Sequence, residues 1–149
     1  MTDINLSQSE ADALLEMEKY RISETHWDYP SFGGSVSIPL RSLNKREEFL
    51  LDISRGKIDL KKTEYQNRAR HVVVLVRVDL GGPPHRNPDD TEVAAPHWHL
   101  YREGYGDKWA TPLPEDVFSS PGDLWQVLQD FMRFCSIVEA PFIRRGLFT

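Results

Sequence analysis

The stretch His71–Leu80, with the sequence HVVVLVRVDL, decides the fold class of this chain. It is rich in β-branched residues, which favour extended backbone, and its apolar run is typical of a strand at the centre of a sheet. A proline-rich loop over residues 81–96 separates it from a second predicted strand, His97–Arg102. The chain therefore contains a sheet, and these two segments are candidates for neighbouring strands within it.

Further strands precede this pair. Ser35–Ile38 alternates polar and apolar residues with the period of two that indicates a half-buried strand. Phe49–Ile53 is apolar, and Lys57–Lys61 alternates again after a turn at Arg55-Gly56, which predicts a hairpin from Glu48 to Lys62. No helical segment interrupts these strands, so we expect them to pair antiparallel.

Two helices flank the strands. Ser7 and Glu10 have the spacing of a capping box, and apolar residues at helical spacing predict a first helix that runs to about Tyr20. Ser120, ahead of a proline, predicts the N-cap of a second helix with one apolar face. We therefore predict a single α+β domain over residues 1–149, with an antiparallel sheet of about five strands covered by an N-terminal and a C-terminal helix.

The composition is that of a globular protein, with 149 residues of which 40% are hydrophobic and 28% charged. The single cysteine, Cys135, excludes a disulfide framework and lies among apolar residues at helical spacing. The longest apolar run, Val72–Val76, is too short to cross a membrane. Because the amino-terminal residues have neither a basic nor an apolar signal region, we expect a cytoplasmic location.

The charge is unevenly distributed along the chain. Residues 41–71 contain nine basic and five acidic residues and carry +4, whereas the remaining residues, with nine basic and eighteen acidic, carry −9. Such a basic band is typical of a surface that contacts phosphates, because Lys and Arg displace the counterions of nucleic acids. A solvated strand edge is the alternative, since lysines there prevent pairing between sheets.

Several common catalytic motifs are absent from the sequence. It contains no P-loop, no dinucleotide-binding glycine motif, no zincin helix, no serine hydrolase elbow and no zinc deaminase signature. These enzyme classes are therefore poor candidates.

Ionisable residues concentrate instead on the two strands described first. Arg77 and Asp79 share one side of their strand because both are odd-numbered, and His97, His99 and Tyr101 share one side of theirs. If Arg77 lies opposite His99, Asp79 lies opposite His97, and all five residues line one patch. Burying such groups unpaired costs several kcal/mol, so this face is either solvated or a site.

The patch has three competing interpretations, of which the first is a metal site. His97 and His99 would supply two ligands to a transition metal, with Glu103 or His85 as the third. This spacing is similar to the first metal motif of cupins, although Thr91 stands where that motif has glycine.

The second interpretation is phosphodiester cleavage, in which the histidines act as general acid and base and Arg77, Arg86 or a lysine stabilises the developing charge. In the third, the histidines are structural, and they bond to Asp79 and to backbone groups on a sheet face that docks a partner. The sequence leaves all three open.

The motifs around these residues resemble those of a known family. His85-x-Asn87-Pro-Asp89 and the later run from His97 through Tyr101 to Ala110, HWHLYREGYGDKWA, are similar to a domain of unknown function in small bacterial and phage proteins. The resemblance covers most of the chain and implies a cytoplasmic protein encoded among mobile-element, toxin–antitoxin or phage-conflict genes. It implies no catalytic assignment.

The segment EGYGDKWA, residues 103–110, predicts a projecting turn. Glycines on both sides of Tyr105 allow a tight backbone excursion, and Trp109 can anchor the turn to the body. The turn would present Tyr105 as a stacking ring and Lys108 as a phosphate contact beside the histidine strand. An ordinary β-turn is the alternative.

From these patterns we expect a small ribonuclease-like effector of the toxin–antitoxin or phage-conflict type that cleaves RNA by histidine acid–base chemistry. The candidate catalytic residues are His97, His99, His85, Arg77 and Tyr101, and the candidate substrate-binding residues are Lys57, Lys61, Lys62, Tyr105 and Lys108. We assign no metal and no cofactor from the sequence.

The alternative function is non-enzymatic. An inhibitor or binding protein encoded by a mobile element would dock a protein partner, such as an antitoxin or a target complex, through the same face. The acidic residues outside the basic band favour this alternative, because inhibitors of nucleic-acid-binding complexes often present the charge of the nucleic acid. A homodimer is compatible with both functions.

Overall fold

The computed structural model describes residues 5–59 and 61–146. The two helices are α1 (Gln8–Glu16) and α2 (Leu124–Phe134). The first six strands are β1 (Lys19–Arg21), β2 (His26–Asp28), β3 (Ser35–Arg41), β4 (Glu48–Arg55), β5 (Thr63–Ala69) and β6 (Val73–Asp79). They are followed by β7 (His85–Arg86), β8 (Glu92–Val93), β9 (His97–Leu100), β10 (Ala110–Pro112), β11 (Ile137–Glu139) and β12 (Phe142–Arg144).

The main sheet has eight strands in the order β10-β9-β6-β5-β4-β3-β1-β11. All neighbours pair antiparallel except β1 and β11, which are parallel. Strands β2 and β12 form a separate parallel pair, and β7 and β8 form a small antiparallel hairpin. The α+β class is confirmed, but the expected count of about five strands is too low. The short outer strands β1, β10 and β11 were not expected because three residues carry too little periodicity to be recognised.

The predicted hairpin from Glu48 to Lys62 is only partly right. Its first strand is β4, but the second is β5, and Lys57–Lys61 lies in the connecting loop, with Leu60 outside the described residues. Ile58 in this loop is 97% exposed, so the alternation there does not reflect a buried face. In β5 the buried positions include Thr63 and Asn67, and this polar content hid the strand from a search for apolar residues.

Both helices lie near their predicted positions. The capping box at the start of α1 is present, since Ser7 accepts from the amide of Glu10 and the Glu10 carboxylate accepts from the amide of Ser7. The helix ends at Glu16 rather than Tyr20, because the residues that follow enter β1 and pair with β3. The N-cap of α2 is Asp123 rather than Ser120.

One face of the sheet packs against α2. Tyr65, Val78 and Trp98 follow one another across β5, β6 and β9 in register and therefore project from the same face. The Tyr65 ring lies 6.1 Å from that of Phe131, and the Trp98 ring lies 4.8 Å from that of Phe134. The apolar core thus fills the space between this face and α2.

The opposite face of the sheet is polar. Arg77 and Asp79 on β6, and His97 and His99 on β9, alternate with the core-facing residues and point away from α2. The hairpin of β7 and β8 brings His85 against this face. In the described part of the chain, no helix is both long and apolar enough to cross a lipid bilayer.

Candidate functional site

The register between β6 and β9 is the one expected from the sequence. Arg77 lies opposite His99, and Asp79 lies opposite His97. All four side chains therefore share one face and form a contiguous cluster. Asp79, His97 and His99 are buried, with 7%, 2% and 0% of their surface exposed, so the cluster lies beneath the surface rather than on it.

Asp79 is the centre of the cluster. Its Oδ2 lies 3.0 Å from Nε2 of His97 and 3.0 Å from Nε2 of His99. Arg77 donates to both carboxylate oxygens, from Nε to Oδ1 at 3.2 Å and from Nη2 to Oδ2 at 3.3 Å. Burial raises the pKa of the Asp79 carboxyl, but the contact with His99 and the charge and hydrogen bonds of Arg77 outweigh it and lower the pKa to about 2.

The backbone of the turn after β9 fixes the orientation of His99. Nδ1 of His99 lies 2.8 Å from the carbonyl oxygen of Asp107, which can only accept, so this nitrogen carries a proton. Nε2 of the same ring lies 3.0 Å from Nη2 of Arg77. Arg77 also donates to the Asp107 carboxylate at 3.1 Å. The turn is therefore bonded to both strands of the cluster.

His85 joins the cluster from the hairpin of β7 and β8. Its ring centroid lies 4.5 Å from that of His99 and 6.0 Å from that of His97. Its Nε2 lies 2.7 Å from the carbonyl oxygen of Lys108 and donates to it. The structure thus brings together four of the predicted site residues, which are Arg77, His85, His97 and His99.

Asn87 holds the hairpin in place and was not among the predicted site residues. Its side-chain amide donates to the carbonyl of Ala110 at 3.0 Å and accepts from the amide of Ala110 at 2.8 Å. The backbone of Asn87 also accepts from the amide of Asp90, which closes the Asn-Pro-Asp turn. The Asn-Pro-Asp sequence of this turn is the signal from which the structural role of Asn87 could have been predicted.

His97 is the least satisfied member of the cluster. Its Nδ1 is buried and has no hydrogen-bond partner in the part of the chain that the structure describes. If Nε2 donates a proton to Asp79, Nδ1 is a buried lone pair without a donor. If Nδ1 carries the proton instead, Nε2 and the carboxylate oxygen face each other as two acceptors.

Tyr101 and Glu103 do not join the cluster. The Tyr101 hydroxyl donates to the carbonyl of Leu6 and accepts from its amide, both at 2.7 Å, and so fixes the segment before α1. The exposed Glu103 carboxylate accepts from the amide of Gln8 at 2.9 Å. The carboxylate beside the histidines is that of Asp79, which comes from the neighbouring strand.

The turn over residues 102–109 projects from the body as expected. Its two glycines have positive φ angles, 82° at Gly104 and 62° at Gly106. Trp109 is held between the ring of Tyr105, with centroids 5.7 Å apart, and the guanidinium of Arg102, 4.3 Å above its ring. Tyr105 itself remains 44% exposed.

A cleft of about 280 Å³ lies beside this turn. Its walls come from the turn, from Tyr101 and from residues 72–74 at the start of β6, where Val72 is 50% exposed. Tyr105 and the exposed Lys108 border the same cleft. These exposed side chains are not part of the buried cluster.

The predicted lysines lie in a different place. Lys57, Lys61 and Lys62 are exposed in the loop between β4 and β5, and the Lys62 side chain passes Gly82 in the loop that follows β6. Two arginines of the basic band are engaged in ion pairs, Arg68 with Asp52 and Arg70 with Glu47. The part of the band that is available to a phosphate is therefore smaller than its charge suggests.

Comparison with known proteins shows that the cluster lies within the part of the chain that matches a family model. The model of a family of unknown function, DUF6978, matches residues 6–137, which include every residue of the cluster and the whole of the turn. No curated protein and no solved structure matches the chain significantly.

Proposed function

We propose that this chain, which belongs to the DUF6978 family of unknown function, is a non-enzymatic binding protein. It docks a protein partner through the turn over residues 102–109 and the cleft beside it. The buried cluster serves as the internal support of this surface. The proposal adopts the third interpretation of the histidines and the alternative function named from the sequence.

One observation carries the proposal. His97 and His99 are almost fully buried and bonded to Asp79, while Tyr105 and Lys108 of the turn are exposed. A general acid or base must reach the proton that it transfers, within about 3 Å or through one water molecule. Rings with 2% and 0% exposure suit internal support better than contact with an RNA phosphate.

The exposed chemistry of the turn fits a protein partner. Aromatic rings and arginine dominate binding hot spots, and the turn presents Tyr105 together with the stacked pair of Arg102 and Trp109. Because Gln8 and Asp107 tie the turn to α1 and β6, little conformational freedom is lost on binding. The resemblance to mobile-element proteins would make the partner a cytoplasmic antitoxin or target complex.

A photocrosslinking amino acid at position 105 tests this proposal in cells that produce the full chain. Phe32 provides the matched control, since it is 46% exposed against 44% for Tyr105 and lies in the loop before β3. We expect ultraviolet light to produce a discrete protein adduct from position 105 and none from position 32. Adducts to RNA alone, or equal adducts from both positions, would contradict the proposal.

Ribonuclease activity is the second candidate, and one observation favours it. The imidazoles of His85, His97 and His99 lie within 4.5–6.0 Å of one another, and His85 is only partly buried. Because His85 donates from Nε2 to a carbonyl, its Nδ1 is the lone pair that a general base requires. Arg77 would stabilise the developing negative charge.

Incubating the purified protein with labelled RNA tests this second candidate. Activity that His85→Gln abolishes and His71→Gln preserves would establish cleavage at the cluster, since the His71 ring is exposed and bonds to Glu48, away from the cluster. The triple change of Lys57, Lys61 and Lys62 to Gln should then flatten the salt dependence of RNA binding, by about one unit of slope for each phosphate that these lysines neutralise. If RNA is neither bound nor cleaved at low salt, this candidate is excluded.

A further inference from the structure

We propose that Asp79, His97 and His99 bind a divalent transition metal ion of the zinc class. Oδ2 of Asp79 and the ring nitrogens of the two histidines lie within 4.8 Å of one another and are buried. The site goes beyond the docking function proposed above and does not depend on it. It also differs from the ligand set considered from the sequence, because the carboxylate comes from β6 rather than from Glu103.

The tautomer of His99 is the first argument. Its Nδ1 proton is used by the Asp107 carbonyl, so the neutral ring presents a lone pair at Nε2. This lone pair lies 3.0 Å from Oδ2 of Asp79, and both atoms accept from Nη2 of Arg77, so the two acceptors are arranged around one cationic group. A metal ion shared between them would take the place of that group. Metal-bound histidines commonly donate their second ring nitrogen to a backbone carbonyl, as His99 does.

The contact between His97 and Asp79 is the second argument. With a metal ion on Nε2 the ring carries its proton on Nδ1, and the ion lies between Nε2 and the carboxylate oxygen, which removes the conflict between two facing acceptors. A 2% exposed imidazole that points at the same carboxylate oxygen as His99 is then a ligand. Two imidazoles and one carboxylate are a donor set that suits Zn²⁺ and leaves a fourth position open.

Arg77 is the cation that this ion must displace. Its Nη2 lies 3.0 Å from Nε2 of His99 and also donates to Oδ2 of Asp79. Arg77 is 25% exposed at its side chain and already bonded to the Asp107 carboxylate, so it can withdraw towards that residue while keeping its bond from Nε to Oδ1. The proposal therefore predicts competition between the guanidinium and the metal ion.

Calorimetric titration of the chelator-treated full chain with Zn²⁺ tests the site. We expect one equivalent of Zn²⁺ to bind and to raise the melting temperature, because a ligand that binds only the folded state stabilises it. We expect Asp79→Asn and His97→Gln, which nearly preserve side-chain volume, each to weaken Zn²⁺ binding by at least about tenfold. His71→Gln is the matched control on an exposed histidine and should leave the affinity unchanged.

For Arg77→Gln we expect the opposite effect on the affinity for Zn²⁺. Removing the competing guanidinium should strengthen Zn²⁺ binding, whereas an unchanged or weaker affinity would overturn the placement of the ion beside His99. Because buried variants can fail to fold, the wild-type protein gives a separate measurement through the ¹⁵N resonances of its imidazoles. Zn²⁺ should shift the resonances of His97 and His99.

Two results would overturn the site as a whole. One is the lack of a stoichiometric Zn²⁺ complex in the wild-type protein. The other is a complex that shifts only the resonances of the exposed His26 and His71, or that survives Asp79→Asn and His97→Gln with undiminished affinity. Neither result affects crosslinking from position 105, so the site and the docking surface can fail separately.

Discussion

Asp52 is the second carboxylate that organises the polar face of the sheet. Its oxygens accept from Ser37 at 2.6 Å, from Gln66 at 2.9 Å and from two guanidinium nitrogens of Arg68 at 2.6 and 2.8 Å. Burial raises the pKa of the Asp52 carboxyl, but these hydrogen bonds outweigh it and hold the pKa below its usual value. The carboxylate therefore favours the folded state only while it is ionised.

We expect Asp52→Asn to lower the free energy of unfolding at pH 7 by about 1–3 kcal/mol, because the charged hydrogen bonds of Arg68 are removed. The wild-type contribution is present above the ordinary aspartate pKa of about 3.9 and is lost as the pH falls through the lowered value. Urea unfolding at pH 7 and at pH 3 measures both effects. The variant should lose less stability than the wild type between these two pH values.

Asp28→Asn is the matched control for this change. Asp28 is 74% exposed and pairs with Arg144 at 3.1 Å, so its removal should change the stability by less than about 0.5 kcal/mol. Equal losses from the two variants would show that the bonds of Asp52 are no stronger than those of a surface pair.

At single residues the sequence predicted side-chain direction well and bonding partners poorly. The parity of Arg77 and His99 placed both on the correct face, because alternation in a strand is a local property. The same parity predicted that Tyr101 lies in the patch. In the structure its hydroxyl bonds instead to Leu6, 95 residues away in the chain. Such contacts depend on how α1 packs, which the local pattern does not contain.

Among the individual elements, the turn over residues 102–109 depends on its glycines in a testable way. Gly104 and Gly106 have positive φ angles, yet a Cβ added at either position would meet no atom within 4 Å. The cost of adding one is therefore conformational rather than steric. We expect Gly104→Ala and Gly106→Ala each to destabilise the protein by about 1 kcal/mol, measured by urea unfolding.

Gly122 offers the matched control for this turn. A Cβ at Gly122 also meets no atom within 4 Å, but its φ angle is not positive. We expect Gly122→Ala to be neutral or slightly stabilising, since alanine restricts the unfolded chain. If Gly122→Ala were as costly as Gly106→Ala, the positive φ angles would not explain the loss.

The elements that the sequence identified are those with strong local signals. The apolar run of β6 and the capping box of α1 are such signals, and both elements were located. Strand β5 was missed because Asn67 and Thr63 fill buried positions that a search by hydrophobicity assigns to loops. Its extended conformation follows from pairing with β4 and β6 on its two sides.

For the molecule as a whole, Lys19 connects segments that lie 116 residues apart in the chain. It is fully buried, and its Nζ donates to the carbonyls of Leu15, Met17 and Cys135 at 2.7–2.9 Å. The ammonium also lies 4.7 Å from the centre of the Phe49 ring. Burial lowers the pKa of Lys19 to about 8.

This lowered pKa makes the stability depend on pH in alkaline solution. Between pH 8 and the ordinary lysine pKa of about 10.4, the unfolded chain binds a proton that the folded chain has released, so stability rises with pH. Cys135 acts with the opposite sign above about pH 8.5, because burial raises the pKa of its thiol to about 12. A Cys135→Ala background removes the opposing effect.

In that background we expect the free energy of unfolding to increase from about pH 8 to about pH 9.5, and Lys19→Met to abolish the increase. Urea unfolding at both pH values checks this. An increase that persists without Lys19 would assign it to another group.

At this scale the sequence predicted the α+β class but not how the sheet ends. The order of helix, strands and helix excludes a parallel βαβ arrangement, and this conclusion requires only the order of the elements. The outer strand β11 pairs with β1 across more than a hundred residues, and each strand has only three residues. That pairing depends on how α2, which precedes β11 in the chain, packs against the sheet. No local sequence pattern reveals this packing.

The parallel pairing of β1 with β11 and of β2 with β12 has a consequence for biosynthesis. The antiparallel strands β3 to β6 can assemble once residue 79 has left the ribosome, but the outer side of β1 and all of β2 stay unpaired until residues 137–144 have also left it. Unpaired strand edges recruit other chains. A nascent chain that stops before residue 137 would therefore expose residues 19–28 as a template for aggregation.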